Sequence, residues 1–165
     1  MATPSIIQYV TRFNEIYNGE PWYGENIVSK LNEVSDELAF TRPMRDVHAI
    51  AEVVAHMTYW RQSLISRLNK DESFRASVES EENWRDLLVL RAAGWKKVLS
   101  DFEESQKAIV QILSRQPASI LTTEYAEGHT FEYLIQGVID HDIYHLGQIG
   151  LIRKMVLSQK QEQEQ

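Results

Sequence analysis

The sequence predicts an all-α fold, a four-helix bundle, and three observations lead there. Apolar residues recur at intervals of three and four along nearly the whole 165-residue chain, the spacing that lines one face of an α-helix. Period-two alternation bounded by turn residues, the mark of a half-buried strand, is hard to find. Four long periodic segments are separated by polar or Gly/Pro-containing connections, which suits helices packed side by side. No repeat or composition break divides the chain, so residues 1–157 read as one domain and the Gln-, Glu-, Lys- and Ser-rich stretch 158–165 as a disordered polar tail.

The first helix is expected from about Pro4 to Tyr17, with Ile6, Tyr9, Val10, Phe13 and Tyr17 on one face and Pro4 suited to its first turn. Asn18-Gly19-Glu20-Pro21 stops it. Before Pro43, the residues Ile27, Val28, Leu31, Val34 and Leu38 predict one short helix crossing the end of the bundle. The second long helix is expected from an N-cap near Asp46 to about Asn69, and Lys70 to Glu82 is a polar connection. The third covers Trp84 to Ser114, with Gly94 as a point of interruption and Pro117 beyond its end. After a loop containing Gly128 and His129, the fourth runs from near Thr130 to about Leu157.

Composition removes several function classes. The chain has no cysteine, so its own side chains offer neither a disulfide framework nor a thiolate site, and any metal must be held by His, Asp or Glu. No stretch has the length and apolarity of a membrane span, and Met1 to Val10 lacks the basic-then-apolar order of a signal peptide. A cytoplasmic protein is the expectation. A formal charge of -7 opposes the phosphate neutralisation on which nucleic-acid affinity rests, so no nucleic-acid partner is expected.

The fourth helix carries the most informative pattern. Its inward seam reads Leu134, Val138, His141, His145, Gln148 and Ile152, spaced four, three, four, three and four, so two histidines and a glutamine stand where packing alone would place Leu or Ile. Residues four apart on a helix have Cβ atoms about 5–6 Å apart, which lets both imidazoles reach one ion at about 2.0–2.1 Å. The second helix offers His56 among Val53, Met57 and Trp60. A bundle completes a site by facing helices, and His56 with His141 and His145 makes a three-histidine centre for a divalent metal. A lone histidine on an apolar face is more often a satisfied core residue. Two imidazoles buried together, however, would each leave a nitrogen in need of a partner, at about 1–3 kcal/mol apiece, and one shared cation answers both. His48 lies about 80° from His56 on a helical wheel and reads as a boundary residue; His129 precedes the fourth helix and reads as a cap or rim residue.

Glu52, one turn before His56, and Gln148, three after His145, are the candidate catalytic or supporting groups, with Asp142 a further candidate to orient a ligand. Tyr59, Trp60 and Tyr144 are aromatic candidates for a pocket wall.

The segment Ala51-Glu52-Val53-Val54-Ala55-His56-Met57-Thr58-Tyr59-Trp60-Arg61 and the later run Asp140-His141-Asp142-Ile143-Tyr144-His145-Leu146-Gly147-Gln148-Ile149 together resemble the paired signature of the DinB superfamily. Trp22-Tyr23-Gly24 and the overall length fit as well. The resemblance implies a four-helix bundle of the DinB/YfiT-like type, a homodimer, and a divalent ion held by His56, His141 and His145. It also implies chemistry with small thiols such as bacillithiol, mycothiol or glutathione-like cofactors. Many relatives have Arg before the Gly-Gln pair where this chain has Leu146.

Three neutral imidazoles leave a divalent ion its full charge and, in tetrahedral geometry, one open position. Two enzyme readings follow, each with a small-molecule substrate: a thiol S-transferase that activates an external thiol, or a hydrolase that activates water. A non-catalytic, stress-associated metal-binding protein is the third reading, in which a fourth protein ligand such as Glu52 closes the shell. Imidazole suits zinc and nickel foremost, and also iron and copper.

Overall fold

A computed structural model of the chain describes residues 5–163, so Pro4 and the last two residues lie outside it. Four long helices form the bundle: α1 (Ile6–Asn18), α4 (Ile50–Leu68), α6 (Trp95–Leu113) and α7 (Phe131–Gln163). Short helices α2 (Ile27–Asn32), α3 (Asp36–Ala39) and α5 (Leu87–Ala93) sit in the connections. Around the bundle each long helix packs on two others, α1 on α6 and α7, and α4 on the same pair. No described helix is long and apolar enough to cross a membrane.

The apolar stripes explain this ring. Ile6, Tyr9, Phe13 and Ile16 of α1 are buried, and α6 turns Trp95, Val98, Phe102, Ile109 and Leu113 inward. The α4 helix is buried over most of its circumference, with Ile50, Val54, Met57 and Leu64 wholly inaccessible, as expected for a helix wedged between two long neighbours. It runs antiparallel to α7. Thus Arg67 lies over the Tyr125 ring just before α7, Arg61 pairs with Asp142, His56 meets His141, and Pro43, ahead of α4, accepts a bond from Gln159.

Four boundaries differ from the sequence expectation. The segment before Pro43 forms two short helices instead of one, because Ser35 restarts the chain as a cap, its Oγ accepting the Leu38 N–H at 3.3 Å. Helix α4 starts at Ile50, not near Asp46, because Glu52 reaches back to the Ala49 N–H at 2.8 Å, the side-chain half of a capping box. The third element starts at Leu87, not Trp84, because Asp86 caps it, its Oδ1 accepting the Leu88 N–H at 2.7 Å; Gly94 interrupts it into α5 and α6 as expected, with a φ of 90° and ψ of 152° in a region essentially restricted to glycine. Helix α7 continues through Gln163 instead of ending near Leu157. Its last turns find polar partners in α3 and in the connection that follows it, where Lys160 pairs with Glu37 at 2.8 Å and Gln159 bonds to the Pro43 carbonyl at 2.6 Å. Two elements were not expected from the sequence: a short 3-10 helix over Ala118–Thr122, and strands β1 (Glu124–Ala126) and β2 (His129–Thr130), which form a small antiparallel hairpin leading into α7.

Candidate metal centre

His56, in the second turn of α4, and His141 and His145, one turn apart in α7, converge across the α4–α7 contact. The Nε2 atoms of His56 and His141 are 3.0 Å apart, as are those of His145 and His141. Ligand nitrogens on a tetrahedral ion at about 2.0–2.1 Å stand about 3.3–3.4 Å from each other, so two of the three pairs are near that spacing, and the three donor atoms all lie within 4.8 Å of one another. Among the described residues these three are the group of His, Asp and Glu side chains arranged to hold a metal ion.

The tautomers point the same way. His56 Nδ1 lies 2.8 Å from the Asn83 carbonyl oxygen and must donate to it, which leaves Nε2 as a lone pair. His145 Nδ1 lies 2.6 Å from Gln148 Oε1 and does the same. The His141 Nε2 therefore faces two lone pairs, and its own Nδ1 is buried without a partner. Such a triad invites a cation. Each ligand pair with an oxygen acceptor on the far ring nitrogen is also the usual support of a metal-bound histidine.

Electrostatics keep the rings neutral and ready to ligate. Burial, reinforced by the neighbouring His145 and His56, pulls the His141 pKa down to about 3. Burial likewise lowers His145 to about 4, against the opposing bond to Gln148. His56 is lowered by burial although its bond to Asn83 resists.

The sequence candidates divide. Gln148 is brought to the centre as the acceptor for His145. Glu52 is not: it is 2% exposed and bonded through both oxygens, Oε2 to Arg42 Nε and Ala49 N at 2.8 Å each and Oε1 to Arg42 Nη2. Burial pushes the Glu52 carboxyl up, but the bonds from Arg42, Ala49 and His48 outweigh it and hold it below the usual range. Spacing alone could not separate a capping glutamate from one supporting His56. Asp142 turns neither to solvent nor to a histidine. Wholly buried, it meets Arg61 Nε at 2.9 Å and Nη2 at 2.8 Å, while the Arg61 guanidinium lies 4.0 Å over the Phe102 ring. Burial pushes the Asp142 carboxyl up and Arg61 opposes it. This pair ties α4 to α7 directly beside His141.

His48 needs a correction. Because α4 starts only at Ile50, a helical-wheel angle does not place it. Its ring stacks on Trp84 at 3.9 Å, and Trp84 stacks on His56 at 3.9 Å, so His48 belongs to the same pocket wall. His129 lies elsewhere, stacked on Tyr133 in the hairpin region. Two supporting residues had escaped notice. Asn83 is buried and pinned by Trp60 Nε1 on its Oδ1 at 2.9 Å and by its own Nδ2 on the Val78 carbonyl at 3.0 Å, which fixes the carbonyl that holds His56. Trp84 follows it. Both sit in an irregular stretch, where no periodicity marks a position as buried.

The three histidines form one side of a pocket of about 660 Å³. Its wall includes Val53, Trp84, Tyr144, Ile152 and Met155, with His48 and Gln148 as polar members. Tyr59 lines a different cleft, between α4 and α6, and Leu146 packs into the core, 6% exposed.

The fold and the site together define a helical bundle whose three clustered histidines could hold a divalent ion beside an apolar pocket. A family model of the DinB superfamily matches residues 24–149, spanning all three histidines, and the chain belongs to that superfamily. No curated protein matches it significantly.

Proposed function

We propose that this protein is a metal-dependent enzyme that activates a small thiol for transfer to an electrophilic substrate. The observation that carries the reading is the open pocket beside a complete three-histidine donor set. A structural site is closed by a fourth protein ligand, whereas a catalytic site keeps a vacancy. Glu52, the residue that would have closed the shell, has both carboxylate oxygens committed to Arg42 and Ala49.

When bound, a zinc or nickel ion would supply the positive charge that stabilises a thiolate at neutral pH. The chain's own residues do the rest. Asn83 and Gln148 hold the His56 and His145 rings so that Nε2 faces inward. Apolar walls from Val53, Ile152 and Met155 exclude water around the nucleophile. His48, lining the same pocket with Nδ1 3.3 Å from Glu52, is placed to take up a proton from the incoming thiol. In the overall substitution the thiol S–H bond breaks, a sulfur–carbon bond forms, and the leaving group departs and takes the proton. With no cysteine in the chain, the sulfur comes from outside.

The test begins with elemental analysis: about one divalent ion per chain, lost on His56→Ala, His141→Ala or His145→Ala and retained on His129→Ala. The cobalt-substituted protein should then develop an intense sulfur-to-metal charge-transfer band with a small thiol. A spectrum indifferent to every thiol, with turnover of esters or amides, would replace this reading by hydrolysis.

A further inference from the structure

The charges around the pocket are distributed unevenly. Of its lining residues only Asp46 carries a formal charge, at the exposed rim, and no lysine or arginine is among them. The nearby cations open elsewhere. Lys30 and Lys154 line a separate cleft beyond Leu151 with Tyr23 and Gly147. Arg42 and Arg85 line another with Glu52, on the side shared by His48 and Trp84. Arg61 is sealed beneath the centre on Asp142.

What faces the cavity instead is apolar and aromatic: Met44, Val47 and Val53 from one side, Leu151, Ile152 and Met155 from α7, with Trp84 and Tyr144 presenting ring surface. Here a carboxylate on the far part of a ligand would lose water without gaining a cationic partner, which is costly in a low-dielectric wall, and it would also meet Asp46. An uncharged hydrocarbon or aromatic body would bury area on Met and ring surfaces suited to it. Sites that bind polyanionic cofactors use lysine or arginine for them, and this wall has none.

We infer that the pocket receives a small molecule with a single metal-ligating head and an uncharged, apolar or aromatic body, and discriminates against ligands bearing a further negative charge. This rests on reading the three histidines as an open metal centre. It narrows the thiol class: simple aryl-alkyl or alkyl thiols fit, whereas thiols with several carboxylates do not.

Matched ligand pairs test it. Benzyl mercaptan and 4-(mercaptomethyl)benzoate differ only by a remote carboxylate, as do hexane-1-thiol and 6-mercaptohexanoate. Calorimetric titration of the cobalt-loaded protein should give at least tenfold tighter binding of the uncharged member in both pairs. Met155→Lys, which adds a cation to the wall, should shrink that ratio by about three- to tenfold. Glu127→Gln, a distant change of equal charge on the hairpin, should leave it nearly unaltered, which separates pocket chemistry from the net charge of -7. Equal or tighter binding of the carboxylate members, or no binding of any member, would overturn the inference. Failure of the metal reading looks different: the preference for the uncharged member would persist while binding became indifferent to cobalt and to His141→Ala.

Discussion

Two of the three clustered imidazoles are anchored through their outer nitrogen, His56 on the Asn83 carbonyl and His145 on Gln148, while His141 Nδ1 is buried with no partner. Removing an anchor lets a ring rotate or change tautomer. Gln148→Leu should therefore weaken metal binding by about 10- to 100-fold without unfolding the protein, as competition with a chromogenic chelator would measure. The same residues set an acid limit. Their folded pKa values lie below the ordinary 6.5, at about 3 for His141 and about 4 for His145. Between those values and 6.5 the unfolded chain binds protons that the folded chain refuses, so stability rises with pH across that window and is lost as pH falls through it. The metal-free protein should show a urea midpoint that is flat from about pH 8 to 7 and declines from about 6.5 to 5, above the range where most carboxylates titrate. The metal-loaded protein should release its ion over the same interval. A midpoint unchanged between pH 7 and 5 would mean that the histidines are not buried as described.

At the scale of the elements, Gly94 breaks the third periodic segment into α5 and α6 at the point of interruption that the sequence marks. Its backbone angles lie where a side chain is strained by about 1–3 kcal/mol, yet a Cβ there would meet nothing within 4 Å. Gly94→Ala should thus lower stability by about that amount through backbone strain alone, without changing metal content. Denaturant unfolding alongside metal analysis checks both halves of that statement. The contrast with α4 is instructive. There Glu52 sits where helical spacing places it relative to His56, but the capping requirement of the Ala49 N–H claims its carboxylate, and a local backbone need overrides a plausible chemical role. Arg61 and Asp142 illustrate the tertiary case. Asp142 reads in the sequence as a candidate to orient a ligand, and the α4–α7 packing instead buries it as a pair with Arg61, aligning the helix that carries His56 with the one that carries His141 and His145.

For the whole molecule, one stripe of α7 bears, by their spacing, Tyr133, Tyr144 and Leu151, each at least 60% exposed, the last two also forming the outer rim of the pocket. Large apolar side chains gathered on one surface mark interaction sites more often than isolated ones do. We propose that a second copy of the chain covers this stripe as a homodimer. Light scattering at tens of micromolar should then give twice the 19.2 kDa chain mass, and Tyr133→Glu combined with Tyr144→Glu should halve it. A single-chain mass for the unaltered protein would remove the proposal.

The helical class, the four long helices and the convergence of three histidines were legible in the sequence, because 3.6-residue periodicity marks which face is buried and a polar side chain on that face must find a partner. His141 and His145 stand out by this rule, and His56 follows from the need for a facing helix. Gln148 was legible for the same reason. Tertiary structure alone decided the rest. It assigned Glu52 to a helix cap, buried Asp142 on Arg61, and brought His48, Asn83 and Trp84 from irregular segments to the centre. Those residues carry no periodic signature, since in a non-helical stretch burial depends on what the chain folds against and not on spacing along it. The absence of cations from the pocket wall has the same origin. Lysines and arginines are plentiful in the sequence, and only the folded chain sets Lys30, Arg42, Arg85 and Lys154 in other clefts.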